Sequence, residues 1–433
     1  MNPLQARTLT AEEERFGRDI FEEQIAPAHL AGLTPQHSPV AVIVNGPTGA
    51  GKTAVTRMVK QALDRRGRAA WVNMDFYNPH HPRYAQWQAD RPEEADALVR
   101  PFGDLWWALA LQYALSHSSD IVIESASVTP AEFEDICRNV QTAPRTEGMR
   151  KYNIEAAFVA EPGFVSELGT VLRKLAEIQE VGHGRRVDPA IHDASVQGVL
   201  RGATAFEAEG LGDFAAVMRR SGITVDTIRV ASGTTVPPDQ LRVVQAIRNI
   251  HTAPLSPADA AQFTARLAMA QLTAPDSDQP QLERIAHTAA PQLPGTHWTD
   301  ILRQAADLRA NPPAAADTAP ELLRYTGEEL ITQLAAALAD RHHHTPADDP
   351  QSPQPAAEPA ERDAARARRI LTEIARRHVL SPTQQADEAR HRIRVRVTEA
   401  RIPGPSTPEP RVQRAIAPPR PEPERPTGPR RYP

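Results

Sequence analysis

The sequence predicts a doubly wound parallel α/β sheet domain, then an α-helical region, then a disordered Pro-rich tail. Three observations predict it. Residues 46–53 read Gly46-Pro47-Thr48-Gly49-Ala50-Gly51-Lys52-Thr53, a complete G-x-x-x-x-G-K-T loop between the apolar run Ala41–Val44 and a helix-like stretch from Ala54 to Arg65. From residue 40 to 230, short apolar runs alternate with longer amphipathic segments. Beyond that, first alanine and then proline come to dominate.

Taken in order, residues 8–30 predict a lead-in helix with Phe16, Ile20 and Phe21 on one face. The runs Ala41–Val44, Ala69–Val72, Ile121–Ile123, Ala156–Val159 and Ile223–Val230 have the length of buried parallel strands, and the segments between them suit crossover helices. Periodicity leaves the strand order open. This first domain is expected over residues 1–234, with a helical accessory region over 235–345. There Ser256-Pro257-Ala258-Asp259 has the cap, proline and acid of a helix start, Phe263 and Leu267 follow at helical spacing, and residues 319–344 read as another helix. Residues 346–401 are expected to hold a linker and two charged helices, over 360–380 and 382–400, the second capped by Ser381-Pro382-Thr383-Gln384. Residues 402–433, dominated by Pro, Arg and Glu, lack the apolar area to fold alone.

Composition narrows the function classes. A chain of 433 residues can bury a full core, while 41 prolines and 5% aromatics point to part of it being extended. The formal charge of −5 gives no reason to expect nucleic acid binding. Cys137 is the only cysteine, so an internal disulfide is excluded, and a small apolar filler on a helix is its expected role. Glu12, Glu13, Glu14 and Arg15 stand where a signal peptide needs an apolar stretch, and no run is long and apolar enough to cross a bilayer. A cytoplasmic protein with no membrane partner is expected.

The loop carries the first chemistry. Its glycines let backbone N–H groups turn inward on phosphate oxygens, and the helix start behind it adds partial positive charge. Gly46, Pro47, Thr48, Gly49, Ala50, Gly51, Lys52 and Thr53 are therefore expected to bind ATP, with Lys52 reaching the β- and γ-phosphates and the Thr53 hydroxyl holding Mg²⁺. Such a loop makes the sheet one of the P-loop NTPase and kinase type. Acids at strand ends complete α/β sites. Asp75 follows Trp71-Val72-Asn73-Met74 and Glu124 follows Ile121-Val122-Ile123; one could hold Mg²⁺ through water and one accept a hydroxyl proton, against the plainer roles of helix cap or ion pair. Trp106 and Trp107 are expected in the core, and His342-His343-His344 at a solvated helix end.

Further landmarks follow: Asp75-Phe76-Tyr77-Asn78-Pro79-His80-His81-Pro82, then Ser166-Glu167-Leu168-Gly169-Thr170-Val171-Leu172-Arg173, then Arg185 some residues before His192-Asp193. In order and spacing this set resembles the zeta toxins, P-loop kinases of bacterial toxin–antitoxin systems, over roughly residues 10–230. The resemblance implies transfer of the γ-phosphoryl group of ATP, with Mg²⁺, to an amino-sugar hydroxyl of UDP-N-acetylglucosamine. It implies Asp75 as the base, Glu124, Ser125 and His81 as substrate-binding residues, and Lys52, Arg173 and Arg185 (or Arg186, one position on) as the cations that neutralise charge in transfer. It also implies a sugar-nucleotide substrate and an antitoxin partner. Three positions depart from the pattern: Asn78 is neutral, Glu124-Ser125-Ala126 replaces Glu-Gly-Thr with Ser125 or Ser127 left to supply a hydroxyl, and Lys174 stands where a tyrosine is usual. These departures keep two other readings open: a kinase of another nucleotide, a dinucleotide or an antibiotic, and a degenerate ATP-binding module serving as a scaffold.

Overall fold

A computed structural model of the chain describes residues 7–91, 94–129, 131–144, 148, 150–230, 233–294, 297–315, 319–344 and 357–401. The expected tail and nearly all of the expected linker lie outside the described residues. The chain divides into two units, Met1–Ser381 and Pro382–Pro433; of the second, helix α15 (Pro382–Arg401) is described.

Strand β1 (Val40–Asn45) is buried from its second residue on, as a Val/Ala/Ile run must be when both faces of a sheet are covered. It pairs in parallel with β3 (Ile121–Ser125) on one side and β4 (Asn153–Val159) on the other. Strand β2 (Ala70–Val72) adds in parallel to β3, and β5 (Phe214–Met218) in parallel to β4. With β6 (Thr224–Arg229) the order is β2-β3-β1-β4-β5-β6. The order reverses direction at β1, so the crevice at its C-terminal end is where an α/β sheet takes its ligand.

Successive side chains leave opposite faces of a strand. Val42, Val44 and Val122 therefore meet Val55 and Leu63 of α2 (Lys52–Leu63) on one face. Ile43, Ile121, Ile123 and Phe158 face a larger core on the other. That core draws on α3 (Met74–Tyr77), α4 (Tyr84–Asp90), α5 (Ala95–Ser116), α6 (Glu132–Gln141) and α8 (Pro189–Ala208), while α7 (Gly163–Val181) runs beside the loop after β1. Trp106 on α5 and Cys137 on α6 are fully buried there, the apolar roles expected of them. Helix α9 (Arg242–Thr252), beyond residue 234 in sequence, joins this core through Val243, Val244, Ile247 and Ile250. Glu207 fixes it by accepting the N–H groups of Arg242 and Val243 at 2.7 and 2.8 Å, donors that a helix start otherwise leaves unpaired.

Three sequence expectations change. Strand β5 was not anticipated, because two alanines dilute the apolar signal of Phe-Ala-Ala-Val-Met. The run at 223–230 is an antiparallel edge strand with one buried residue, not a buried parallel strand. The turn from Arg219 to Ile223, with Gly222 at φ 81°, can only reverse the chain, whereas a parallel return needs a crossover of about a dozen residues. The lead-in helix is α1 (Ala11–Ile20), capped by a Thr10–Glu13 box, continued by a π-helical segment Phe21–Leu30 that contains Pro27. Its buried face centres on Gly17, whose carbonyl accepts Trp106 Nε1–H at 2.7 Å and where a Cβ would come within 2.8 Å of Leu105. Phe16 is thereby left at the rim, 41% exposed.

The alanine-rich region builds a second core. Helix α10 (Pro257–Thr273) is its centre, surrounded by α11 (Gln279–Ala289), α12 (His297–Ala310), α13 (Gly327–His344) and α14 (Ala357–His378). Small residues such as Ala260, Ala261, Ala265 and Ala268 let the axes approach closely. Helix α13 starts at Gly327 and not near 319, because Thr326 and Glu329 form a capping box there. Helix α14 is locked by Arg376, fully buried, which donates to Glu373 and to the Ala315 carbonyl. This core continues onto α7 through Phe164, Leu168, Val171 and Leu175, with Phe164 edge-on to Phe263 at 5.0 Å.

Close backbone approach also sets the seat of α8, where a Cβ at Gly198 would lie 1.8 Å from the Ser127 carbonyl oxygen. Gly198→Ala is expected to lower unfolding stability by about 1–3 kcal/mol through overpacking, read as a shifted denaturant midpoint with unchanged slope.

Candidate active site

The loop Gly46–Thr53 turns from β1 into α2 at the crevice. Gly49 and Gly51 take φ of 80° and 87°, conformations that side chains rarely adopt. Packing excludes a side chain at Gly49 as well, where a Cβ would lie 2.0 Å from the Ser166 carbonyl oxygen. The approach is mutual, since a Cβ at Gly169 would lie 2.2 Å from the Gly49 carbonyl oxygen. The Leu168-Gly169-Thr170 landmark is thus the place where α7 lies backbone against backbone on the loop. From the other side, Ser195 of α8 accepts the Thr48 N–H at 3.2 Å and donates to the Ala126 carbonyl at 2.6 Å. His192 Nε2, buried, is 2.9 Å from Ser166 Oγ and ties α8 to α7.

Lys52 donates to the loop carbonyls of Gly46 and Pro47 at 2.8 and 3.1 Å. Burial pulls its pKa down to about 8, with Glu124 opposing that and Arg173 adding to it. Glu124 follows from strand register: it stands beside Val44, two residues before the loop, and accepts Trp71 Nε1–H at 3.2 Å. Burial raises its carboxyl above the ordinary range, with Lys52 pulling the other way.

Asp75 opens α3, its N–H held by the Asn73 side chain. Its carboxylate takes Arg185 Nη1 at 3.0 Å and Nη2 at 3.5 Å, while keeping 54% of its side-chain surface. Burial would raise its pKa, but Arg185 first, then Arg173 and Lys52, hold it below the ordinary carboxylate range. Arg173 on α7 has Nε and Nη2 buried with no hydrogen bond among the described residues. Burial and the like charge of Arg185 lower its pKa. Lys52, Asp75, Arg173 and Arg185 thus form one charge cluster beside the loop.

The structure does not bring Ser125 and His81 into that cluster. The Ser125 hydroxyl donates to Glu132 at 2.7 Å, and the same carboxylate accepts the N–H groups of Ser127, Val128 and Thr129. Ser127 Oγ accepts from Asn45 Nδ2 at 2.9 Å. His81 is 5% exposed, stacked on Trp87 at 4.5 Å, with Nδ1 accepting the Arg83 N–H. His80 faces His29, Nε2 to Nε2 at 3.0 Å. Sequence reasoning missed Asp96, whose carboxylate lies 3.2 Å from Arg185 Nε and accepts from Tyr84 at 3.4 Å. It also missed Arg220, which covers Gly51 closely enough that a Cβ there would meet its Cβ at 3.1 Å. Asp96 has no signal of its own in an acidic helix start; the pair Arg219-Arg220 after a strand was a signal, hidden because β5 was not foreseen.

The family model described as zeta toxin matches residues 27–228. Over those residues, just under half of the chain, the sequence is similar to the zeta toxins. No curated protein matches it significantly. Among solved structures, a chain of the PezAT chromosomal toxin–antitoxin system of Streptococcus pneumoniae is 15% identical with a TM-score of 0.46, over 58% of this chain and 92% of that one. A chain of the AvrRxo1-ORF1:AvrRxo1-ORF2 crystal structure with sulphate ions is 15% identical with a TM-score of 0.39, over 71% and 92%. Both likenesses are too distant to speak to function. Among the described residues, no helix is long and apolar enough to cross a membrane.

The residues around the loop fit the ATP and Mg²⁺ that zeta toxins use. Thr48 Oγ1 in the loop and Arg173 Nε and Nη2 beside it are buried polar atoms without hydrogen bonds among the described residues, the kind of group phosphate oxygens satisfy. Thr53 is exposed in the first turn of α2. No cluster of three His, Cys, Asp or Glu suited to a metal occurs among the described residues. Arg185→Met is expected to raise the pKa of the Asp75 carboxyl, since its main stabilising charge goes while burial and Asp96 remain. Carboxyl ¹³C shifts followed against pH would check the direction.

Proposed function

We propose that this chain is an ATP-dependent kinase that transfers the γ-phosphoryl group to a hydroxyl of UDP-N-acetylglucosamine, as the toxin of a toxin–antitoxin system. The observation that carries the reading is the charge cluster: a carboxylate held ionised by Arg185, next to Lys52 and an arginine with unsatisfied donors, all beside a phosphate loop. Asp75 accepts the acceptor's hydroxyl proton; its low pKa keeps it ionised, and its open surface lets the hydroxyl approach. Lys52 leaves the loop carbonyls for the β- and γ-phosphates. Arg173 meets the charge that spreads over the equatorial oxygens, and Arg185 holds Asp75 in place while adding a second cation. The Thr53 hydroxyl would hold Mg²⁺, which would supply charge neutralisation to the triphosphate.

A cavity of about 500 Å³ supports a nucleotide as acceptor: its walls include Trp71, which donates to Glu124, Phe76, next to Asp75, the cation Arg68, and Lys60 paired with Asp64. Aromatic faces and cations suit a base and its phosphates. A second reading, a kinase of a different nucleotide, draws support from Ser125 and Ser127, whose hydroxyls are spent on Glu132 and Asn45 where the family offers a threonine. An antitoxin covering the phosphate loop belongs to the same proposal.

Asp75→Asn is expected to lower kcat by about 10²- to 10⁴-fold while ATP binding persists. Mass spectrometry of metabolites from cells expressing wild type and Lys52→Ala then names the acceptor: a phosphorylated UDP-N-acetylglucosamine present only with wild type is expected, and a different phosphorylated nucleotide selects the second reading. ATP affinity should weaken as pH rises through about 8, because phosphate pairs with the ammonium form that Lys52 loses there. Calorimetric titrations at pH 7 and pH 9 check this, and Lys52→Arg should remove the difference.

A further inference from the structure

Helix α7 is held from two sides. One side rests on the phosphate loop at Gly169 and Ser166 and carries Arg173. The other meets α11, which lies beyond the zeta toxin match. Arg284 of α11 places Nη2 2.5 Å from Glu167 Oε1 on α7 and donates from Nη1 to Asp193 on α8 at 3.1 Å. One turn earlier, Gln281 donates to the same Glu167 oxygen at 3.0 Å. Glu167 is 3% exposed, so these contacts satisfy a carboxylate that burial would otherwise penalise. Two turns along α7, Lys174 donates to both oxygens of Asp278, the residue before α11, at 2.7 and 3.0 Å. That pair is nearly buried, at 15% and 3% side-chain exposure. Lys174 is the departure from the tyrosine usual after the clamp arginine, and its partner belongs to the added helices.

We propose that α11 is a working part of the transfer site, with Arg284, Gln281 and Asp278 as positioning residues that hold α7, and hence Arg173 and the phosphate loop, in register. The inference rests on the kinase reading for its consequence in rate, but not for its structural content. A helix anchored on one flank by the nearly buried Lys174–Asp278 pair and by Arg284 on the buried Glu167, and by glycine contact on the other, has little freedom to shift, and rotation of α7 by part of a turn would carry Arg173 off the transferring group. Misplacement of the order of 1 Å costs transfer up to about a hundredfold.

The test is Arg284→Gln in the full chain, beside Arg284→Lys and a control, Arg303→Gln, which removes an exposed pair on α12. Amide hydrogen exchange over residues 164–175 should rise about fivefold or more in Arg284→Gln, with the β-strands unchanged. In parallel, kcat should fall about tenfold with KM for ATP nearly constant, because Arg173 acts on the transferring group. Arg284→Lys should recover part of both, and Arg303→Gln should match wild type. Unchanged exchange in α7, or unchanged kcat with a raised α7 exchange, would overturn the proposal. If wild type transfers to no acceptor, the kinase reading fails separately and exchange alone decides the positioning role. The exchanged pair Lys174→Asp with Asp278→Lys gives a second arm: recovery of kcat relative to either single variant is expected, and a double variant no better than the singles counts against it.

Discussion

The contact between the Gly49 backbone and the backbone of α7 is the constraint on which the rest depends. A phosphate loop needs inward N–H groups, which needs glycines in left-handed conformation, and such a loop has few side chains of its own to hold it. Helix α7 supplies the support, at distances that leave no room for a Cβ on either side. Ser195 and His192 extend the brace to α8. The loop therefore inherits its shape from two helices that pack on it, and those helices inherit their seats from two different cores.

The charge cluster follows from that arrangement. Bringing Lys52, Arg173 and Arg185 together out of water costs free energy, partly offset by Asp75, Asp96 and Glu124. The balance is uneven by position. Arg185 has two carboxylates and Arg173 only a weak approach to Glu177 at 4.0 Å. Unspent donors on Arg173 mark the spot where negative charge from outside the chain is best received.

The three departures from the family pattern have different physical standing. Lys174 has a buried partner in the added helices, so its change is compensated. Ser125 donates to Glu132, which also accepts the Ser127 N–H, so both residues belong to the turn after β3. Asn78 is buried beside Gly103, where a Cβ would come within 2.7 Å of its Oδ1, and its side chain belongs to the packing of α5. On the proposed kinase reading, the phosphate-loop half keeps the family's residues, while the departures fall in the acceptor half.

Much of this was legible in the residues themselves. The loop, the strand runs that flank it, the helix cap at Ser256 and the acids Asp75 and Glu124 are local signals, since each depends on spacing or on a neighbour a few positions away. Strand β5 and the antiparallel turn of β6 were not legible, because short runs diluted by alanine are decided by what packs on them. His81, implied by the resemblance as a substrate-binding residue, packs on Trp87 and Phe102, which come from separate helices. Only the tertiary structure could decide that Asp96 shares Arg185, that Arg220 covers Gly51 and that Arg284 reaches Glu167. Those pairs join residues distant in the chain, and no period in the sequence records which of many charged helix faces will meet.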